Sequence, residues 1–261
     1  MGTALGAVMA RRDLLWTLTW REIRIKYKQS VMGMLWAVLM PTVIVLAGVL
    51  VRYGFSVFSG RPLGTADIAS VSVRAVPWAF FVSSLRFATT SLITNTSLVT
   101  KVYLPREIFP FAAILSQLVD FAVASLVLVV VLAILHVGAS VQLVWVPVLV
   151  ACLVLFTAGL ALLLSAGSLF FRDVKYLVEV ILTFAIFFTP VFYEVSMFGR
   201  WSSWLMVNPV APILEGFANV VVRHAAPPLA WLGYSVVVSA VTFLAGLALF
   251  QRLEPYFAES V

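Results

Sequence analysis

The chain is poor in nearly everything that keeps a protein of 261 residues in water. Charged residues make up only 11% of it, against about 25% in an ordinary soluble domain. Too little charge remains to cover a soluble globule. The single cysteine, Cys152, excludes an internal disulfide and with it a secreted disulfide scaffold. The two histidines, His136 and His224, are far apart, and no Cys/His/carboxylate cluster has metal-ligand spacing, so no metal site is expected. There is no Gly-x-x-x-x-Gly-Lys-Ser/Thr loop to cradle phosphates, so the chain does not hydrolyse nucleotide in that way. The Gly-x-Ser-x-Gly turn of a serine hydrolase is missing too. No repeat, linker or low-complexity tract divides the chain, and a single domain over residues 1–261 is expected.

What the chain has instead is long apolar runs. Sixty-three per cent of it is apolar and its mean hydropathy is +1.09. The fold class is therefore an all-α polytopic membrane protein. The net charge of +6 is scattered among apolar runs, which suits membrane orientation and anionic lipid rather than nucleic acid. A helix needs about 20 apolar residues to cross the roughly 30 Å hydrocarbon layer. Six segments meet this, with transmembrane helices expected at 31–53, 76–98, 109–135, 145–170, 174–193 and 228–250. Pro41 predicts a kink in the first, and Pro227 and Pro228 stand at the entrance of the last. Residues 201–222 are too broken by Asn208, Pro209, Pro212 and Glu215 to cross, and read as short interfacial or re-entrant helices. The loops around 56–74 and 194–224 are expected to face water.

Six crossings put both termini on one side. That side would hold 11 of the 17 basic residues, against five on the other and Arg86 within a span, so positive-inside makes the termini cytoplasmic. The first ten residues carry no basic region of the kind that opens a signal peptide, so no cleavable signal is expected.

Residues 11–28 read as an amphipathic interface helix. Leu14, Leu18 and Ile25 share one face, and Trp16, Trp20, Ile23 and Tyr27 another, with Arg21, Arg24 and Lys28 as a basic stripe on the flank between them. Such a helix lies in the headgroup plane as an anchor, or gates lateral access for a lipid-linked anion. The turn from Asn95 to Pro110 holds Lys101, Pro105, Arg106 and Glu107 between two apolar helices, which forces a compact exposed knob. Arg86 and Asp120 are intramembrane charges and so functional candidates; as opposite charges on neighbouring spans they are expected to pair in part or to line a water-filled position, rather than to couple protons. Ala158, Gly159 and Ser165 provide small residues for close helix packing.

Taken together, these segments resemble a known family, the transmembrane subunit of type-2 ABC exporters for bacterial surface polysaccharides (the O-antigen and teichoic-acid group). The resemblance is carried by Arg21-Glu22-Ile23-Arg24-Ile25-Lys26-Tyr27-Lys28-Gln29-Ser30 leading into Gly33, Leu35-Trp36-Ala37 and Pro41. Leu98 to Pro110, Phe171-Arg172-Asp173-Val174 with Tyr176, Thr189-Pro190-Val191 with Tyr193, and Asn208-Pro209 follow in order. The chain departs from the family at Ala218, where an arginine is frequent nearby, and at Met32, Met34 and Met40.

The resemblance implies a homodimer enclosing a glycan-wide channel, docked on two copies of a separate ATPase that binds ATP and Mg; this chain would have no cofactor of its own and would not be an enzyme. By match, Val99, Thr100, Lys101, Val102, Tyr103, Leu104, Pro105, Arg106 and Glu107 would form the coupling helix that meets the ATPase. Arg21, Arg24, Lys26 and Lys28 would meet the diphosphate of a polyprenyl carrier, and the helices within 201–222 would form an external gate. Aromatic faces bind sugar rings while letting them slide, which makes Trp36, Phe80, Phe81, Phe87, Phe184, Phe187, Phe188 and Tyr193 channel candidates. The function implied is export of a polyprenyl-diphosphate-linked polysaccharide across the bacterial inner membrane. An exporter of a small molecule or drug is the alternative, with an intramembrane enzyme or an ion-coupled carrier further behind.

Overall fold

The computed structural model describes residues 6, 11–28, 35–60, 62–101 and 104–257, and of 37, 59 and 101 the backbone alone. The first residues expected of the opening span, Val102, Tyr103 and the Lys101 side chain lie outside the described residues. The described residues form helices joined by turns, without a strand: α1 (Arg12–Lys28), α2 (Leu35–Ser59), α3 (Thr65–Thr94), α4 (Thr96–Lys101), α5 (Ile108–Ile134), α6 (Val146–Phe170), α7 (Val174–Ala185), α8 (Ser202–Met206), α9 (Val210–Val221) and α10 (Leu229–Leu253). Short 3-10 stretches cover Val141–Trp145, Val195–Trp201 and Glu254–Tyr256. The protein is an all-α polytopic membrane protein, and among the described residues five helices are long and apolar enough to cross a bilayer.

Two landmarks define the ends of the bundle. At one end Leu18, Leu92, Val99, Leu104, Ile108, Leu169, Phe250 and Phe257 share an apolar cluster. At the other, Arg52, Asp67, Arg74, Glu194, Glu215 and Arg223 form an ion network. Among the described residues the five long apolar helices are α2, α3, α5, α6 and α10. The segment expected as a further span over 174–193 differs: α7 is a 12-residue helix, about 18 Å long. Beyond it Phe187 and Phe188 donate backbone bonds only three residues back, so the chain tightens into 3-10-like turns ahead of Pro190.

α3 is the central helix, with Ala69, Val71, Val73, Ala75, Trp78, Phe80, Phe81, Leu85, Ala88 and Leu92 all buried. It begins at Thr65, eleven residues before the expected boundary, so much of the segment expected to be a water-facing loop is helix. The physical reason lies in its charges. Asp67 accepts the Gly64 backbone N–H at 3.0 Å and starts the helix, and Arg74 is neutralised inside the fold by Glu215. α9 is also enclosed, every residue from Val210 to Ala218 being buried. Asn208 caps it by accepting the Val210 N–H at 3.1 Å.

α6 and α10 meet backbone to backbone. A Cβ on Gly159 would lie 2.6 Å from the Phe243 nitrogen, and one on Gly246 would lie 2.5 Å from the Gly159 carbonyl oxygen. No larger residue fits at that crossing without separating the helices. The histidines are structural in the same local sense. His136 and His224 both adopt positive φ, 56° and 54°, in the left-handed position that closes a helix. The fold brings them nearer than their sequence separation suggests, His224 lying beside Gly138.

Candidate functional site

The four cations expected to meet a lipid diphosphate divide into two groups. At 100° per residue, Lys26 points about 160° away from Arg24 and Lys28. Arg21, Arg24 and Lys28 line an open groove of about 360 Å³ with Thr17, Trp20 and Ile25. The Arg24 guanidinium lies over the Trp20 ring at 5.4 Å, and Trp20 stacks on Trp16, whose ring centroid is 6.4 Å away. Lys26 faces the bundle instead. Its ammonium pairs with Asp120 and donates to Gln117 at 3.2 Å, 5.1 Å above the Phe87 ring. Tyr27 donates its hydroxyl to the other oxygen of Asp120, and burial together with that carboxylate pushes the phenol pKa well above its ordinary value.

α1 is therefore docked into the bundle. Leu14, Leu15 and Leu18 pack against the apolar cluster, Arg21 donates to Asn95 at the foot of α3, and Lys26 and Tyr27 reach Asp120. Asp120 lies twelve residues, about 18 Å, along α5 from its start. Ile25 shares a face with Leu14 and Leu18 on the wheel but is 60% exposed, whereas Leu18 and Thr19 are buried and Lys26 reaches Asp120. The expected pairing of Arg86 with Asp120 does not occur. Arg86 pairs with Glu179 of α7 at 2.9 Å, and Asp120 is taken by α1.

In the knob, Thr100 is exposed, Pro105 and Arg106 are half-buried, and Val99, Leu104 and Glu107 are buried. Arg106 is held by the chain's C-terminal end. Its guanidinium donates to the Glu254 carbonyl, its backbone N–H donates to the Glu254 carboxylate at 3.3 Å, and it lies 5.9 Å from the Phe257 ring. Glu107, expected as a polar surface contact, is only 2% exposed, with one carboxylate oxygen unpartnered. Burial first, and the nearby Glu254 after it, hold its pKa above the ordinary glutamate range against an opposing backbone hydrogen bond.

The aromatic candidates separate by exposure. Phe80 and Phe81 belong to the core, against Phe121 and Phe156 at centroid distances of 5.3 and 6.0 Å, so neither lines a channel in this chain. Tyr193 is half-buried and donates to the Phe187 carbonyl at 3.0 Å. Trp36, Phe87, Phe184, Phe187 and Phe188 are exposed. The last three extend an apolar face of Leu177, Val180 and Ile181 along α7 and the turns beyond it, while Val178 and Leu182 pack inward.

At the opposite end, three arginines and three carboxylates join the expected gate helices to the bundle. Arg74, completely buried, donates to Glu215 at 2.8 Å and to the Tyr193 carbonyl at 3.1 Å. Arg223 joins Glu215 at 2.7 Å to Glu194 at 2.8 Å. Arg52 joins Glu194, at 3.1 Å, to Asp67. Asn95, Gln117, Asp67 and Glu194 were not singled out in the sequence. Each takes a partner more than a dozen positions away, which no local pattern marks, although Asp67 also accepts the Gly64 N–H three positions before it. Among the described residues no group of three or more His, Cys, Asp or Glu side chains is placed to hold a metal.

This chain, with a cationic groove and a short knob at one end and an enclosed short helix at the other, matches a family model over residues 13–222, that of the ABC-2 type transporter. The chain belongs to the ABC-2 type transporter family. Curated relatives of this ABC-2 chain match it almost end to end. An O-antigen export system permease protein RfbA from Myxococcus xanthus is 30% identical over 254 residues, 96% of each chain. Two proteins of that name from Klebsiella pneumoniae are 25% and 26% identical, covering 95% of this chain and 94% of their own length. As an ABC-2 membrane chain it is a transport subunit.

Proposed function

We propose that this chain is the permease subunit of an ATP-driven exporter that carries a polyprenyl-diphosphate-linked polysaccharide, of the O-antigen or teichoic-acid kind, across the bacterial cytoplasmic membrane. The observation that carries this reading is the end-to-end similarity to O-antigen export permeases, reaching 30% identity over 96% of both chains. Two copies form the pathway, and two copies of a separate subunit bind and hydrolyse ATP with Mg.

Each region has a part in that scheme. The chain crosses the membrane six times with both termini in the cytoplasm, a reading supported by the 11-to-5 division of basic residues. The groove of Arg21, Arg24 and Lys28 receives the carrier's diphosphate from the inner leaflet, because clustered cations beside an interfacial tryptophan suit a lipid-borne anion. The knob from Val99 to Glu107 meets the ATPase, with Thr100 and the half-buried Pro105 and Arg106 as its accessible described surface. Lys26 supports the groove from behind. The exposed aromatics of α7 and the turns after it give the glycan a wall to slide along once two copies face each other. α9, locked by the ion network through Glu215, closes the outer side together with α8.

The test is export in cells depleted of the protein, measuring polyprenyl-linked glycan on the cytoplasmic face against glycan at the surface. Wild type is expected to clear the internal pool. Arg24→Ala with Lys28→Ala, and separately Thr100→Trp in the knob, are expected to leave glycan inside while the protein stays in the membrane. Unchanged surface glycan on depletion, with no internal accumulation, refutes the polysaccharide assignment and turns the search to small molecules.

A further inference from the structure

We infer that Asp120 is the docking acid that holds α1 on α5 and thereby aims Arg24 and Lys28 at the anionic headgroup in the groove. This rests on the reading of the groove as the diphosphate site and adds a positioning residue to it.

The geometry carries the step. Both oxygens of one carboxylate are used by adjacent α1 residues, Lys26 on one and Tyr27 on the other. Gln117, one turn earlier on α5, accepts a further bond from Lys26. Phe87 of α3 lies under the same ammonium. Three side chains from two long helices thus converge on one cation. Lys26 lies nearly opposite Arg24 and Lys28 on the helical wheel, so drawing it inward turns them outward. Arg21, donating to Asn95 and Glu22, fixes the helix one turn before. With Asp120 replaced by an uncharged residue, the Lys26 ammonium would lack a counterion in a site where its side chain is only 24% exposed. The helix would then lift to return that charge to water or headgroups. Arg24 and Lys28, on one rigid turn with Lys26, would move with it.

The experiment uses the full chain in nanodiscs, with Cys152→Ser and spin labels on cysteines introduced at Ile25 and Val130, both exposed apolar positions. Labelled chain is diluted with unlabelled chain so that only distances within one copy are read. The 25–130 distance is expected to be narrow in the parent, broadened in Asp120→Asn, and narrow again in the swap Lys26→Asp with Asp120→Lys. An unchanged distance in Asp120→Asn, or a swap that stays broad, overturns the inference. In parallel, binding of a polyprenyl diphosphate is measured in phosphatidylcholine nanodiscs, with phosphatidylglycerol and free pyrophosphate as separate competitors. If about a tenth of molecules stay docked, apparent affinity falls about tenfold in Asp120→Asn, and the swap restores it. Binding that is unchanged in Asp120→Asn but lost in Arg24→Ala with Lys28→Ala overturns the positioning role. Binding unchanged in both overturns the groove reading itself, and the positioning role falls with it.

Discussion

Replacing Glu215 by leucine should be among the most damaging single changes outside the apolar core, and clearly worse than replacing its partner Arg74. The pair is 2.8 Å apart, with Arg74 completely buried and Glu215 6% exposed. At an effective dielectric near 20 such a pair attracts by roughly 6 kcal/mol, much of it offset by desolvation. Removing one partner costs about 3–5 kcal/mol, chiefly because the other charge is stranded. The two deletions strand different things. Glu215→Leu leaves Arg74 with only the Tyr193 carbonyl at 3.1 Å, and also takes one of the two carboxylates from Arg223. Arg74→Leu leaves Glu215 still paired with Arg223 at 2.7 Å, so its cost should be nearer 1–3 kcal/mol, on the order of a lost charged hydrogen bond. The double replacement strands no buried charge from the pair and should be more stable than Glu215→Leu alone. Thermal unfolding in nanodiscs, followed by tryptophan fluorescence, reads the order directly. With about 2–4 °C per kcal/mol for a chain near this size, Glu215→Leu should lower Tm by roughly 6–20 °C. Equal losses from the two single changes, or a double no better than Glu215→Leu, would refute the stranded-charge account.

Two further outcomes follow from burial. Glu107 has a pKa raised by folding, so its contribution to stability is present below the unfolded glutamate value and is lost as pH rises through the folded one. Glu107→Gln should therefore raise Tm near neutral pH, with the gain fading as pH falls through the usual glutamate range; a gain constant from about pH 4 to pH 8 would contradict the assignment. Phe81→Ala should cost about 3–5 kcal/mol by opening a cavity against Trp78 and Phe156, whereas Phe188→Ala should leave Tm within about 2 °C and lower glycan export instead. Export that survives Phe188→Ala undiminished would remove that ring from the pathway.

The apolar runs made the membrane helices legible, because a bilayer demands length and hydrophobicity whatever the neighbours do. Charges misplaced the boundary of α3. Arg74 reads as the edge of a water-facing loop until Glu215, 141 residues later, is seen to neutralise it inside the fold. Asp120 announced a site by its cost in an apolar run, but the run does not say that Lys26, 94 residues earlier, is its partner rather than Arg86. The basic stripe on α1 was visible as a wheel, and Lys26 falls off it by angle alone. Counting charge near the motif grouped four residues that geometry separates into three and one. Phe80 and Phe81 illustrate the opposite limit. Composition supplies aromatics, but only packing tells a channel wall from a core.

The way the elements are held together decides which of them can move. α6 and α10 are joined by backbone contact at Gly159 and Gly246, where any relative displacement opens a void or a clash, so they behave as one body. α3 is buried along most of its length and belongs with them. α1 and α7 are attached differently: each buries few side chains, and each is tied to a long helix by an ion pair, Lys26–Asp120 in one case and Arg86–Glu179 in the other. Arg86 and Glu179 are 41% and 58% exposed, so that tie exchanges readily with water and is worth little. The Lys26–Asp120 tie is more enclosed and exchanges less readily. The least costly motion therefore separates α7 from α3 first and lifts α1 second, while the α3–α6–α10 body stays intact. α7 with the turns after it carries the exposed aromatic face and α1 the cationic groove, so these two elements, each tied to a long helix by an ion pair, bear the surfaces assigned to a lipid-linked glycan in the proposed function.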